Sequence, residues 1–260
     1  MKRKGMLWLV LIVFLLVLAG CEERREESDT TVQVVQEGPI PEFLSPSCRA
    51  DPPKSKHSAV DQKLQTYLDR MTKKEKAAQL FITTPEAVAP KDHGLTAGKA
   101  TRKAIRRCPV GGLIYMGANL QDIHQTKTMI AAIQKYSMDR IGLPAFISVD
   151  EEGGTVARIG KEAGFPVPRI GPMSKVGATK DPELARKTGQ KMGRYLSALG
   201  FNLDFAPVAD VLADPDYELL RWRCFGTDPK LVGSMALAFS EGLESQGVYS
   251  TLKHFPGLKG

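Results

Sequence analysis

Apolar residues recur along the chain at two spacings, and the alternation between them predicts the fold. Val60, Leu64, Tyr67, Leu68 and Met71 return at helical intervals, and the folded part of the chain is expected to start there, near residue 59. Thr72 and Glu75 form a capping-box pattern for a second helix over 73–79. A short apolar run over 80–84 follows, then a helix over 97–107 and a glycine-bounded buried strand over 111–117. Leu120, Ile123, Met129, Ile130 and Ile133 line one face of the next helix, and 145–149 is a third strand ending in Asp150. Asp181-Pro182 and Asp228-Pro229 each read as a cap residue followed by a first-turn proline. The helix after the first pair carries Leu184, Ala185, Thr188, Met192, Tyr195 and Leu199 as its inner stripe. The helix after the second carries Leu231, Met235, Phe239 and Leu243. Strands are expected over 202–208 and 248–254.

Repeated strand–helix units imply an α/β protein with parallel strands and right-handed crossovers. An open doubly wound sheet and an eight-stranded (β/α)8 TIM barrel both satisfy that pattern. Polar residues favour the barrel. Asp150, Asp210, Lys253 and His254 all fall at C-terminal ends of expected strands, which in a closed barrel converge on one mouth. No glycine-rich nucleotide fingerprint follows the first strand. About five strand–helix units of such a barrel are present.

Ahead of the folded part the pattern changes. A basic start, Met1-Lys-Arg-Lys-Gly5, leads into a continuous apolar run of 13 residues from Met6 to Leu18, and Leu18-Ala-Gly-Cys21 follows. So short a run is the core of a signal peptide and not a comfortable membrane span. The small residues before Cys21 resemble the bacterial lipobox, which implies a lipoprotein signal peptide over 1–20, lipid attachment at Cys21 and an extracytoplasmic membrane lipoprotein. Residues 21–58 are polar, charged and proline-rich, the composition of a flexible tether.

The net charge of +7 adds little once Lys2, Arg3 and Lys4 are set aside, leaving 33 basic against 29 acidic residues. No basic run interleaved with aromatics points to nucleic acid. With Cys21 lipidated, Cys48, Cys108 and Cys224 are an odd number and cannot form a complete disulfide set. Neither CxxC nor HExxH occurs, and His57, His93, His124 and His254 are scattered, so no metal or cofactor is expected.

Two segments carry the chemistry. In Ser148-Val-Asp-Glu-Glu-Gly-Gly154 a strand ends in three acids and two glycines. The glycines would let a sharp loop approach a ligand, and a carboxylate fixed at a strand end, as Asp150 is, can accept two hydrogen bonds from adjacent hydroxyls such as those of a sugar. Glu151 and Glu152 read at least as readily as a solvated acidic loop. Lys253-His-Phe-Pro-Gly257 sets two hydrogen-bonding side chains at the end of an apolar strand. Arg158 and Arg223 lie on loops between the units, where most arginines are solvated or ion-paired.

Four motifs in order resemble glycoside hydrolase family 3. They are Ser148–Arg158, Asn202–Asp210, Arg223-Cys-Phe-Gly-Thr-Asp-Pro229 and Lys253–Gly257, and the Pro-Gly after Lys-His-Phe is typical of its β-N-acetylglucosaminidase branch. The resemblance implies a retaining exo-glycosidase that removes terminal β-linked N-acetylglucosamine from wall- or chitin-type oligosaccharides. It also implies that Asp150, Arg158, Arg223, Lys253 and His254 bind the sugar. A β-glucosidase of the same family and a non-catalytic sugar-binding lipoprotein are the alternatives. In the family the acid/base loop and the nucleophilic aspartate follow the Lys-His-Phe-Pro-Gly motif. They are expected beyond Gly260, with no catalytic residue in the present chain, which is expected to be a fragment and inactive alone.

Overall fold

The computed structural model describes residues 59–92, 94–162 and 164–258. The lipobox, Cys21, Cys48 and the tether lie outside the described residues.

Helix α1 (Ala59–Arg70) and helix α2 (Lys73–Ala78) come first. The capping box between them is formed as expected. The Thr72 hydroxyl accepts from the Glu75 N–H, and the Glu75 carboxylate accepts from the Thr72 N–H. That backbone donor, followed by Arg140, holds the Glu75 carboxyl down at about 2. Strand β1 is only Ile82–Thr83, because Leu80 and Phe81 fall in a turn and are exposed. The short helix α3 (Pro85–Val88) precedes α4 (Lys99–Arg107), whose first turn is satisfied by Asp92: its carboxylate accepts from the N–H groups of Gly98 and Thr101. Strand β2 (Gly112–Tyr115), helix α5 (Ile123–Ile141) and strand β3 (Phe146–Val149) follow, then α6 (Met173–Ala178) and α7 (Pro182–Leu199). Strand β4 (Leu203–Asp204), helix α8 (Pro229–Glu244) and strand β5 (Tyr249–Ser250) complete the described fold.

The five strands form one parallel sheet in the order β1-β2-β3-β4-β5. That order decides between the two architectures. A doubly wound sheet reverses its strand order at a switch point; here each strand lies beside its predecessor without reversal, as along the wall of a (β/α) barrel. The last two strands are shorter than expected. Ala206–Pro207 interrupts one, and beyond it only a parallel bridge between Val208 and Lys253 continues the pairing.

Both aspartate–proline signals open helices as expected: Asp181 accepts from the Glu183 N–H and Asp228 from the Lys230 N–H. Helices α7 and α8 approach through glycines. A Cβ on Gly189 would sit 2.2 Å from the Phe239 carbonyl oxygen, and one on Gly242 2.2 Å from that of Arg186. Leu113, Tyr115, Ile147 and Val149 join Met192, Leu196 and Phe239 in the core. Residues alternating with these on the strands, Phe146 and Tyr249, are exposed and meet edge to face at 6.3 Å. Ile123 and Leu184, expected on inner stripes, are also exposed, each lying in the first turn of its helix.

Candidate functional site

The C-terminal ends of the strands gather every residue singled out for sugar binding. Asp150 directly follows β3, and Lys253 and His254 follow β5. Arg158 lies on the loop after β3 and Arg223 on the loop between β4 and α8. Lys253 Nζ donates to Asp150 Oδ1 at 2.6 Å and lies 2.6 Å from Glu152 Oε1. Arg223 grips Glu152 with two parallel bonds, Nε to Oε2 at 2.7 Å and Nη2 to Oε1 at 2.8 Å. Arg158 Nη2 stands 4.0 Å from Asp150 Oδ2. His254 Nδ1 lies 2.7 Å from Asp210 Oδ2, and its Nε2 lies 3.3 Å from Arg223 Nη2. A guanidinium can only donate. Nε2 is therefore the acceptor, and the ring proton sits on Nδ1, facing Asp210. The Asp210 carboxylate also receives the N–H groups of His254 and Leu258.

The glutamates correct the reading of a solvated acidic loop, since Glu151 is 1% and Glu152 2% exposed. Glu152 is the centre of the ion-pair network, holding Arg223 and Lys253 apart at a fixed spacing. Glu151 faces inward and organises its own loop. It accepts from the N–H groups of Arg158 (2.6 Å), Ile159 (2.9 Å) and Gly160 (2.8 Å) and from the Tyr195 hydroxyl (2.8 Å). Gly153 and Gly154 have φ of 85° and 58°, and a Cβ on either would meet the 170–172 backbone at 2.8 Å. They let the loop fold closely against its own chain.

Sequence reasoning missed Glu152, Glu151 and Asp204 as members of this assembly, and Asp210 as the partner of His254. Alternation along a strand says nothing about a loop beyond it, and three consecutive acids give no sign of which one turns inward.

Asp204 lies beneath the network, fully buried at the end of β4. Its Oδ1 accepts the Glu151 N–H at 3.0 Å, and Oδ2 has no partner among the described residues. Burial pushes the Asp204 carboxyl well above the usual carboxylate range, against the opposing effects of the Glu151 N–H and Lys253. The unfolded chain ionises such a group near pH ~3.9. The native state therefore binds more protons above that pH, and stability falls as pH rises through the interval up to the raised value. Asp204→Asn, which cannot ionise, should lose this limb. Its urea midpoint should drop less than that of the parent between pH 4 and pH 7, and identical slopes would remove Asp204 as the source.

The floor of the mouth is charge-balanced. Asp150, Glu152 and Asp210 are matched by Arg158, Arg223 and Lys253. Asp150, Arg158, Lys253 and His254 keep between 13% and 30% of their side chains exposed. A cavity of about 430 Å³, lined by Lys253 and His254 of these, opens between residues 209–211 and 252–258, within the ~300–1,000 Å³ usual for small-molecule sites. Alternating fixed donors and acceptors with no net charge suit a neutral polyhydroxy ligand. Among the described residues, each of these carboxylates is already engaged by a cation or imidazole.

Comparison with known proteins agrees with this geometry. Residues 72–260 match the glycosyl hydrolase family 3 N terminal domain. The chain is 37% identical over 157 residues to beta-hexosaminidase A of Pseudoalteromonas piscicida, covering 59% of this chain and 26% of that protein. It is 40% identical over 115 residues to beta-hexosaminidase LpqI of Mycobacterium tuberculosis, covering 44% and 29%. Among solved structures, a family 3 beta-N-acetylglucosaminidase from Paenibacillus superposes with a TM-score of 0.63 at 34% identity, covering 72% of this chain and 34% of that one. The beta-N-acetylhexosaminidase of Beutenbergia cavernae gives 0.60 at 30% identity, covering 72% and 54%. The chain thus spans roughly a quarter to a half of these relatives. Motif order, strand order and the polar mouth agree with the match, and the chain belongs to glycosyl hydrolase family 3, in whose N-terminal barrel domain its described residues lie.

Proposed function

We propose that this chain supplies the sugar-holding part of a β-N-acetylhexosaminidase site, acting on terminal β-linked N-acetylglucosamine of wall- or chitin-type glycans. The observation that carries the reading is the convergence of Asp150, Arg158, Arg223, Lys253 and His254 on one charge-balanced floor at the strand ends. The names of the relatives supply the sugar. Retaining hydrolysis needs a nucleophile and an acid/base, and the carboxylates of the floor are each tied to a partner. Their role is therefore to hold the sugar, and the family resemblance assigns the bond-breaking groups to positions outside the described residues. In the same reading the protein is a lipoprotein, anchored through Cys21 on the outer side of a bacterial membrane, as Leu18-Ala-Gly-Cys21 suggests.

Asp150 is the residue to test. It is partly exposed, and its partner Lys253 keeps Glu152 when Asp150 is lost, so the fold should survive. Losing a charged hydrogen-bonding partner typically costs ~1.5–3 kcal/mol. Asp150→Ala should lower kcat/KM of the intact protein on an aryl β-N-acetylglucosaminide by about 10- to 100-fold, at ~1.4 kcal/mol per factor of ten. Unchanged kcat/KM would place the sugar elsewhere.

A further inference from the structure

Positive charge in the folded part is concentrated in its first quarter. Residues 59–107 hold eleven Lys and Arg against five Asp and Glu, whereas residues 108–258 hold sixteen of each. Helix α4 is the focus. Lys99, Arg102, Lys103, Arg106 and Arg107 make up five of its nine residues, without an acid among them. All five are exposed, while Thr101 and Ile105 on the opposite side are buried. Among the described residues none of the five pairs with a carboxylate. Lys99, Lys103 and Arg107 stand one turn apart in one row, and Arg102 and Arg106 in another. Like charges at that spacing repel and weaken a helix. The arrangement is a cost to folding, which a counter-charged surface would relieve. Beside it runs a trough floored by Val88, Pro90, Ala100 and Ala104, with Lys91, Lys103 and Arg107 on its rim.

The position of this face is fixed by the fold. As part of a crossover, α4 runs opposite to the strands and ends at their N-terminal edge. Arg140, at the end of α5, donates Nε to the Arg106 carbonyl at 2.9 Å and pairs with Glu75 of α2. Gln79 donates to the Pro109 carbonyl at 2.7 Å. Gly142, which ends α5, lies against the Tyr67 ring of α1. The helix through which residues 1–58 join the sheet therefore packs on the edge where the basic helix ends, and the polar mouth is on the other.

We propose that the basic face of α4 docks on the surface of an anionic phospholipid bilayer, with the polar mouth directed away from it. The choice of a bilayer over a soluble polyanion rests on the anchoring reading above. Residues 1–58, ahead of the folded part, include the apolar run from Met6 to Leu18 and Cys21, which would deliver this face to a membrane. The attraction is electrostatic, so it weakens as salt shortens the Debye length.

The test is the partition of the full chain onto vesicles of phosphatidylcholine with phosphatidylglycerol, divided by its partition onto phosphatidylcholine alone. Taking this ratio cancels binding through acyl chains or apolar insertion. At about 1 kcal/mol per basic residue near such a surface, Arg102→Gln, Lys103→Gln, Arg106→Gln and Arg107→Gln combined should lower the ratio on the order of 1000-fold. The circular dichroism spectrum should be unchanged, since glutamine has nearly the helix propensity of these exposed residues. A ratio near one for the parent, or one the quadruple variant alters less than threefold, overturns the proposal. Binding of inorganic polyphosphate by a parent whose ratio is near one would make the partner a soluble polyanion, and overturns it too. Cys21→Ser separates this inference from the anchor. Loss of binding to neutral vesicles with the ratio retained supports both, and neutral binding retained with the ratio retained sinks the anchor alone. A ratio lost with Cys21 shows that the face does not act by itself.

Discussion

Glu151→Ala is expected to destabilise the folded part by about 3–5 kcal/mol, at ~1–3 kcal/mol for each buried donor left without an acceptor. Three consecutive N–H groups, those of Arg158, Ile159 and Gly160, converge on this carboxylate, and Tyr195 adds its hydroxyl from α7. Three of these bonds close the loop after β3 on itself, and the fourth ties it to α7. For a unit of this size the thermal midpoint should fall by roughly 10 °C, at ~2–4 °C per kcal/mol. Glu151→Gln should be nearly as harmful, because its amide nitrogen would turn a donor toward donors. A midpoint within 2 °C of the parent for Glu151→Ala would mean that the loop is held by its glycine packing alone.

The second large effect belongs to Glu152. With 1% of its side chain exposed, it carries two bonds to Arg223 and a third contact to Lys253 at 2.6 Å. Removing one partner of a buried ion pair typically costs ~3–5 kcal/mol, because the charge left behind is neither solvated nor matched. Glu152→Ala should fall in that range in urea denaturation, with Arg223 the side chain most displaced. Arg223 draws its raised basicity first from the hydrogen bonds to Glu152, against the opposing effect of burial. Adding Arg223→Met to Glu152→Ala should recover part of the loss, since the second substitution removes one of the stranded charges. If the double variant is less stable than the parent by the full sum of the two single losses, Glu152 and Arg223 do not act as a pair.

These two residues also mark where the sequence stopped being legible. Elements with a repeating period could be read. The stripe over Met192, Leu199, Met235 and Phe239, the capping box at Thr72 and the aspartate–proline helix starts all reappear in the structure, because each depends on near neighbours in the chain. The mouth could be read in outline, since Asp150, Lys253 and His254 are tied to the ends of apolar strands. What could not be read was the sense of the loop. Glu151 turns inward and Glu152 toward the cations because Asp204, from a strand more than fifty residues away, receives the Glu151 N–H. Strand ends were overestimated because the regular ladder stops at Ala206–Pro207, beyond which the two backbones keep only the Val208–Lys253 bridge, with the Lys253 N–H on the Pro207 carbonyl and the Ala209 N–H on the Lys253 carbonyl.

The unreversed strand order bears on how the chain finds its fold. The paired residues Ile82–Gly112, Gly112–Phe146, Ser148–Leu203 and Leu203–Tyr249 are separated by 30, 34, 55 and 46 positions. The entropy of closing a loop grows only with the logarithm of its length, so the longest of these closures costs about 0.5 kcal/mol more than the shortest. Among the described strands no pairing has to wait for a distant one, and each unit can add to the one before it as the polypeptide emerges. A chain delivered through a narrow channel with its N-terminus leading could therefore assemble this wall in the order in which it arrives, each new strand meeting an edge already formed.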